Sequence, residues 1–260
     1  MTRQTLQRAL LVSKVVVAIG CAAAPYTHRS QLMLVSDSQA AKMGAQAFAQ
    51  VLKEGDVVRS GPAVDQVRRV GTRIARVADI PDADWQFAVI DDPKQVNAFA
   101  LPGGKVAVYT GILPITQDDA GLAVVLGHEI GHVLARHGAE RMSQGLLAQL
   151  GGTALAVALG GGPTSEAVLA AYGLGARYGV LNPFSRTQES EADHIGLILM
   201  AKAGYDPRDA IPFWERMERQ GGSSPPEFLS THPSYGTRVE QIRAELPEAL
   251  QYYQAGAATP

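Results

Sequence analysis

The sequence predicts an α+β fold, mainly helical, in which a small antiparallel sheet packs beside one buried helix. Three observations carry that expectation. Apolar residues recur every three or four positions through several long stretches, as amphipathic helices require. Strict alternation is confined to short segments between residues 85 and 109. An apolar run, Ala120-Gly-Leu-Ala-Val-Val-Leu126, leads directly into His128-Glu-Ile-Gly-His132. With 260 residues, 46% of them hydrophobic, the chain can bury the core of one sizeable domain.

From the N-terminus, Arg3, Arg8 and Lys14 precede an apolar Val15–Ile19, and small residues Gly20 and Ala22 flank Cys21. This pattern resembles a bacterial lipoprotein signal, in which residues 1–20 are removed and Cys21 becomes the acylated N-terminus. Lys14 and Ala18 depart from it by shortening the apolar region and weakening the sequence before the thiol. Alanine rather than aspartate at position 22 directs the expectation to the bacterial outer membrane, with the protein facing the periplasm. Residues 21–36 then read as a lipidated tether, 37–250 as the catalytic domain and 251–260 as a flexible tail. Cys21 is the only cysteine, which excludes an internal disulfide and a thiolate zinc site. A net charge of −2 gives no electrostatic reason to expect nucleic acid as a partner.

Residues 37–52 predict a helix with Met43, Ala47, Phe48 and Val51 on one face. Residues 62–77 predict a second, whose Val64, Val67, Val70, Ile74 and Val77 face inward while Arg68, Arg69, Arg73 and Arg76 form a solvated side. Trp85–Ile90 alternates as a strand does. Asn97–Leu101 and Lys105–Tyr109 flank Pro102-Gly103-Gly104 and predict a hairpin. Thr116 reads as the N-cap of the next helix, with Asp118 and Asp119 favourable to its dipole, and Gly138 as its stop. Residues 144–165 carry no charge. The glycines among them favour a packed or surface-lining helical segment over a membrane span. Asp206-Pro207 opens a further helix through Trp214 and Met217, residues 221–226 form a loop, and a last amphipathic helix covers 237–250.

His128 and His132 are four apart and share a helix face, so two imidazoles can point at one metal ion while Glu129 stands beside them as a general base. Two histidines and a glutamate on a buried helix are costly without a partner, and a metal supplies one. That is the zincin arrangement. A hydrolytic zinc takes three protein ligands. Ala135 and Gly138 stand where the metzincin pattern would place glycine and histidine, so that family is excluded. His137, nine residues after His128, falls off the ligand face and reads as an exposed or capping side chain. The other solution takes a glutamate from a second helix, the gluzincin type. Glu189 and Asp193, i and i+4, share a face on which Glu189 can ligate and Asp193 can fix a ligand histidine's tautomer; Glu191 points roughly the opposite way.

Taken together, Asn97-Ala-Phe-Ala-Leu-Pro-Gly-Gly104, His128-Glu-Ile-Gly-His132 with Ala135-Arg-His-Gly138, Glu189-Ser-Glu-Ala-Asp193, and Ser230-Thr-His-Pro233 with Arg238 resemble the HtpX/BepA/LoiP-like zinc metalloendopeptidases, relatives of the zinc prenyl-protein endoproteases. The resemblance covers about residues 35–250 and is nearest to short lipoprotein members without tetratricopeptide repeats. It implies one Zn²⁺ per chain, Glu189 as third ligand, His232 at the active site and Arg238 ordering it. It also implies hydrolysis of internal peptide bonds in misfolded or unassembled envelope proteins. His232 would stabilise the oxyanion or act as a reversible fourth ligand. The strand holding Asn97, Ala98, Phe99 and Ala100 would offer an edge on which an extended substrate adds. An envelope chaperone or assembly factor with little turnover is the alternative. Oligomeric state is not legible.

Overall fold

The computed structural model describes residues 21–158, 184–220, 227–232 and 237–257. The expected leader, the glycine-rich run beyond residue 158 and the 221–226 loop lie outside the described residues. The chain divides into two compact units, Met1–Ser36 with Ala139–Val180 and Asp37–Gly138 with Leu181–Pro260.

In the first unit, β1 (Cys21–Ala23) pairs antiparallel with β2 (Ser30–Leu32), Cys21 opposite Leu32. Arg29 grips the buried Glu140 carboxylate with both terminal nitrogens, at 2.7 and 2.8 Å. The Ser143 hydroxyl accepts the backbone N–H groups of Leu34 and Val35 at 2.9 and 3.0 Å. Residues 21–36 therefore contain a hairpin and a hydrogen-bonded connection.

The second unit is built on a four-stranded sheet beside a set of helices. α1 (Asp37–Glu54) and α2 (Pro62–Ala78) alternate with β3 (Val57–Val58) and β4 (Gln86–Ile90). β5 (Ala98–Leu101) and β6 (Lys105–Tyr109) form the expected hairpin, with Leu101 opposite Lys105. Gly103 and Gly104 both hold φ near +83°, a conformation open to residues without a Cβ. The strand order is β3-β4-β6-β5, and β4 pairs parallel to β6. The fold class is the expected one, but the sheet is mixed rather than antiparallel throughout. Alternation identifies which residues make strands and carries no information about their order across the sheet. On α2, Val64, Val67, Val70 and Ile74 are buried and the four arginines are exposed. Two of those arginines are also tied down: Arg69 pairs with Asp119, and Arg73 donates to the Ala203 carbonyl.

α3 (Leu113–Thr116) precedes α4 (Asp119–Leu134), the helix of the His-Glu-x-x-His motif. Its N-cap is Asp118, which accepts from the Gly121 N–H at 2.9 Å. Thr116 instead closes α3, and Gln117 at φ +67° separates the two helices. Gly138 does not end α4. The left-handed turn is taken by Arg136 at φ +60°, after which α5 (His137–Ala158) begins. Gly138 is needed for another reason, since a Cβ there would lie 2.7 Å from the Pro102 ring.

α6 (Arg186–Lys202) lies along α4. A Cβ on Gly127 would come within 2.8 Å of the Gly196 carbonyl oxygen, and one on Gly131 within 2.9 Å of the Ala192 oxygen. The two backbones therefore touch where side chains would hold them apart, which brings both motif helices into register. Ser185 caps α6 in a reciprocal box with Gln188. α7 (Ala210–Gln220) buries Phe213, Trp214 and Met217; α8 (Glu227–Thr231) and α9 (Arg238–Ala257) complete the unit. Among the described residues, no helix is long and apolar enough to cross a membrane.

Candidate metal centre

Four side chains converge in the second unit. His128, His132, Glu189 and His232 each offer a ligand atom, and all these atoms lie within 4.8 Å of one another. All four are at most 3% exposed. The 3.6-residue helical repeat puts His128 Nε2 and His132 Nε2 3.0 Å apart on one face of α4. Glu189, from the first turn of α6, approaches them at 3.4 Å with each oxygen. His232 Nδ1 stands 3.0 Å from Glu189 and 3.1 Å from His128 Nε2.

The outer nitrogens decide what the inner ones can do. His128 Nδ1 lies 2.8 Å from the Asp193 carboxylate and so carries the proton of a neutral ring, leaving the Nε2 lone pair facing inward. His132 Nδ1 is likewise engaged, at 2.7 Å from His137 Nδ1. Two inward lone pairs beside a carboxylate repel one another unless a cation lies among them, and two imidazoles with a carboxylate are a zinc donor set. The group fits the metal. Without a cation, the same acidic surroundings favour a second proton on His128. Burial alone would lower the His128 pKa, but the Glu189 and Asp193 carboxylates outweigh it and push it up to about 9. Burial alone would raise Glu189, yet the His232 and His128 imidazoles hold it well below the usual carboxylate range.

Glu129 is 1% exposed. Its Oε2 accepts the Ala100 N–H at 3.0 Å, while Oε1 is buried without a hydrogen bond, 3.4 Å from His232 Nε2. Burial raises the carboxyl above its ordinary pKa, against the opposing pull of His232 and His128. Ala100 belongs to β5, the last strand of the sheet, so the N–H that reaches Glu129 points away from β6. Asn97 and Ala98 are buried, and the Asn97 side chain accepts the Ala98 N–H at 2.9 Å; Phe99 and Ala100 are half-buried.

Arg238 anchors the outside of the cluster. Its Nε and Nη2 each lie 2.7 Å from an Asp193 oxygen, and its guanidinium sits 3.6 Å from the centre of the Trp214 ring. The residues expected at the site, His128, Glu129, His132, Glu189, Asp193, His232 and Arg238, are thus all brought together. Cys21 lies in the other unit, at the start of β1.

Three further residues reach the cluster. His137 is 0% exposed and Glu191 4%, and they hydrogen-bond to each other at 2.8 Å. Neither is the outward-pointing residue expected, because Arg136 breaks the helical phase before His137 and α6 is buried on more than one side. Phe184 stacks on His132 with ring centres 3.9 Å apart. It precedes α6 in a segment without periodicity, so no sequence pattern marks it.

Comparison with known proteins agrees with this geometry. Over 234 residues the chain is 39% identical to a mitochondrial metalloendopeptidase OMA1 of Schizosaccharomyces pombe, covering 86% of this chain and 66% of the relative. The human metalloendopeptidase OMA1, mitochondrial, is 34% identical over 87% of this chain and 46% of its own length. A putative beta-barrel assembly-enhancing protease of Vibrio cholerae is 32% identical, over 76% of this chain and 42% of its own. The chain thus spans about two-thirds of the first relative and less than half of the other two. These likenesses overturn the bacterial outer-membrane location, since identity is higher to the mitochondrial proteins than to the assembly-enhancing one. The physical reason is plain: residues 1–20 are basic and free of acidic residues, which suits leaders for more than one compartment. These likenesses do not bear on the lipid anchor expected on Cys21. Zinc is the cofactor of the family to which the site's donors point. Residues 63–246 match the sequence profile of Peptidase family M48, and the chain belongs to that family.

Proposed function

We propose that the protein is a zinc-dependent endopeptidase that cleaves internal peptide bonds in unfolded or unassembled polypeptides. One observation carries the reading: a buried glutamate oxygen with no hydrogen bond, Glu129 Oε1, stands beside a convergent set of metal-ligating atoms. A buried polar atom without a partner is costly, and a proton acceptor for hydrolysis is a use that justifies it.

In this reading His128, His132 and Glu189 hold the metal. When bound, zinc supplies Lewis acidity, lowering the pKa of water toward about 7 and polarising a carbonyl. Glu129 accepts the proton of the attacking water and returns it to the leaving amine. Asp193 keeps the His128 proton on Nδ1, and Arg238 keeps Asp193 ionised and in place. His232 Nδ1 stands among the ligand atoms, which supports its service as a reversible fourth ligand. Turned toward a substrate, the same ring would donate to the developing oxyanion. β5, the last strand of the sheet, supplies the substrate edge. An edge that reads backbone suits unfolded polypeptide of varied sequence. The likeness to the assembly-enhancing protease gives loose support to misfolded or unassembled envelope proteins as such substrates.

Glu129→Gln is the test. The variant is expected to bind zinc as the wild type does and to lose about 10²–10⁴-fold in cleavage of an unfolded test protein. Undiminished cleavage would refute the mechanism. Protection of that test protein from aggregation, equal in both variants and without cleavage in either, would support the chaperone reading instead.

A further inference from the structure

His132, His137 and Glu191 form a buried line, with His132 Nδ1 2.7 Å from His137 Nδ1 and His137 Nε2 2.8 Å from Glu191 Oε2. Counting protons along it leaves one solution. Two ring nitrogens at hydrogen-bond distance share a single proton, one donating and the other accepting. A His132 that offers Nε2 to a metal carries its proton on Nδ1, so His132 donates and His137 Nδ1 accepts. The neutral His137 then carries its own proton on Nε2, where the Glu191 carboxylate accepts it. The opposite arrangement, with His137 donating from Nδ1, would place the His132 proton on Nε2 and remove that nitrogen from the ligand set.

We propose that His137 and Glu191 are positioning residues for the metal site, a histidine–carboxylate relay that fixes the tautomer and ring orientation of His132. The inference rests on the assignment of His132 as a zinc ligand. The two ligand histidines are then treated alike by different means. His128 meets its carboxylate, Asp193, directly. His132 reaches its carboxylate, Glu191, through one interposed imidazole. Alternate residues of one helix, Glu189, Glu191 and Asp193, thereby serve the same centre as ligand, indirect anchor and direct anchor. Phe184 stacked on the His132 ring restricts its tilt but cannot choose its tautomer.

The experiment compares zinc affinity, by chelator competition, among the wild type, His137→Leu and His137→Gln. Glutamine keeps an oxygen to accept from His132 and an amide to donate to Glu191, whereas leucine keeps neither. Leucine is expected to weaken zinc binding by about 10–100-fold, and glutamine to restore most of the loss. A leucine variant with wild-type affinity, or a glutamine variant as weak as leucine, overturns the proposal. Nitrogen-15 spectra of the zinc-loaded wild type test it without any variant. The proton of His132 should be found on Nδ1 and that of His137 on Nε2. A His137 protonated at Nδ1, or at both nitrogens, also overturns it. Should zinc leave the His132 Nε2 resonance unmoved, the ligand assignment itself fails, which is a distinguishable result.

Discussion

Replacing Arg238 by methionine tests how the buried charges of the site are balanced. Arg238 is 3% exposed and binds Asp193 through two hydrogen bonds of 2.7 Å, with Glu189 3.4 Å from its Nη2. Methionine fills much of the same volume but leaves Asp193, 8% exposed, without its cation. Removing one partner of a buried ion pair costs about 3–5 kcal/mol, because the remaining charge stays desolvated. The guanidinium also lies over Trp214, an interaction contributing up to about 2 kcal/mol when buried, part of which methionine packing replaces. The expected loss is therefore about 3–5 kcal/mol, read by urea denaturation of the metal-free protein, with Tm lower by roughly 6–20 °C. Arg238→Lys keeps the charge but loses the fork and the stacking, and should fall between. In the double variant with Asp193→Asn, the cost should be less than the sum of the two single losses. A loss under about 1 kcal/mol for Arg238→Met would show that this pair does not balance the site.

Chelating the metal should lower Tm, since a ligand held only by the folded state contributes about 2.7–4.1 kcal/mol at 100 to 1,000 times its Kd; an unchanged Tm contradicts a site that binds zinc in the fold. Gly196→Ala should destabilise by about 1–3 kcal/mol and weaken zinc binding, because its Cβ would lie 2.8 Å from the His128 backbone nitrogen. Gly145→Ala is the control: with nothing within 4 Å, it should stabilise α5 by about 0.5–1 kcal/mol. Glu245 gives a pH prediction. Burial pushes its carboxyl up to about 7, so ionisation is disfavoured in the fold and the penalty is full above that pH. The penalty is relieved as pH falls from 7 toward the usual carboxylate range. Glu245→Gln should therefore stabilise at about pH 8 by roughly 1–2 kcal/mol after allowance for solvent, and add nothing near pH 4; a gain independent of pH refutes the assignment.

How much of this was legible in the sequence depended on whether a straight helix could be assumed. His128, Glu129, His132, Glu189 and Asp193 followed from one- and four-residue offsets within α4 and α6, both unbroken over those residues. His232 and Arg238 come through family resemblance, since His232 follows the five-residue α8 and Arg238 opens α9, positions too short or too terminal for a periodic signal. Extending the phase of α4 past Leu134 misplaces His137, because Arg136 at φ +60° resets the direction of the chain. An amphipathic reading misplaces Glu191 because it assigns a helix one buried face, while α6 is covered by both α4 and α9. The parallel β4–β6 pairing was hidden for a comparable reason: side-chain alternation is the same in either strand direction.

The charge balance explains why these residues act as a group. Glu129, Glu189, Glu191 and Asp193 are four buried carboxylates, and the buried Arg238 guanidinium lies within hydrogen-bonding or ion-pair distance of two of them, Asp193 and Glu189. Burying carboxylates is costly unless each gains a cation or several donors. Asp193 gains Arg238 and the His128 N–H; Glu191 gains the His137 N–H; Glu129 Oε2 gains the Ala100 N–H. Glu189 is different. Its nearest neighbours are the imidazoles of His128, His132 and His232, and the Arg238 Nη2 that stands 3.4 Å away is shared with Asp193, so a proton on His128 or a divalent cation supplies the remaining positive charge. A proton neutralises one negative charge, and zinc brings two while satisfying the inward lone pairs of His128 and His132. The interactions that make the apo cluster basic are therefore those that make it a metal site, and Glu129 Oε1 is the acceptor left over for chemistry.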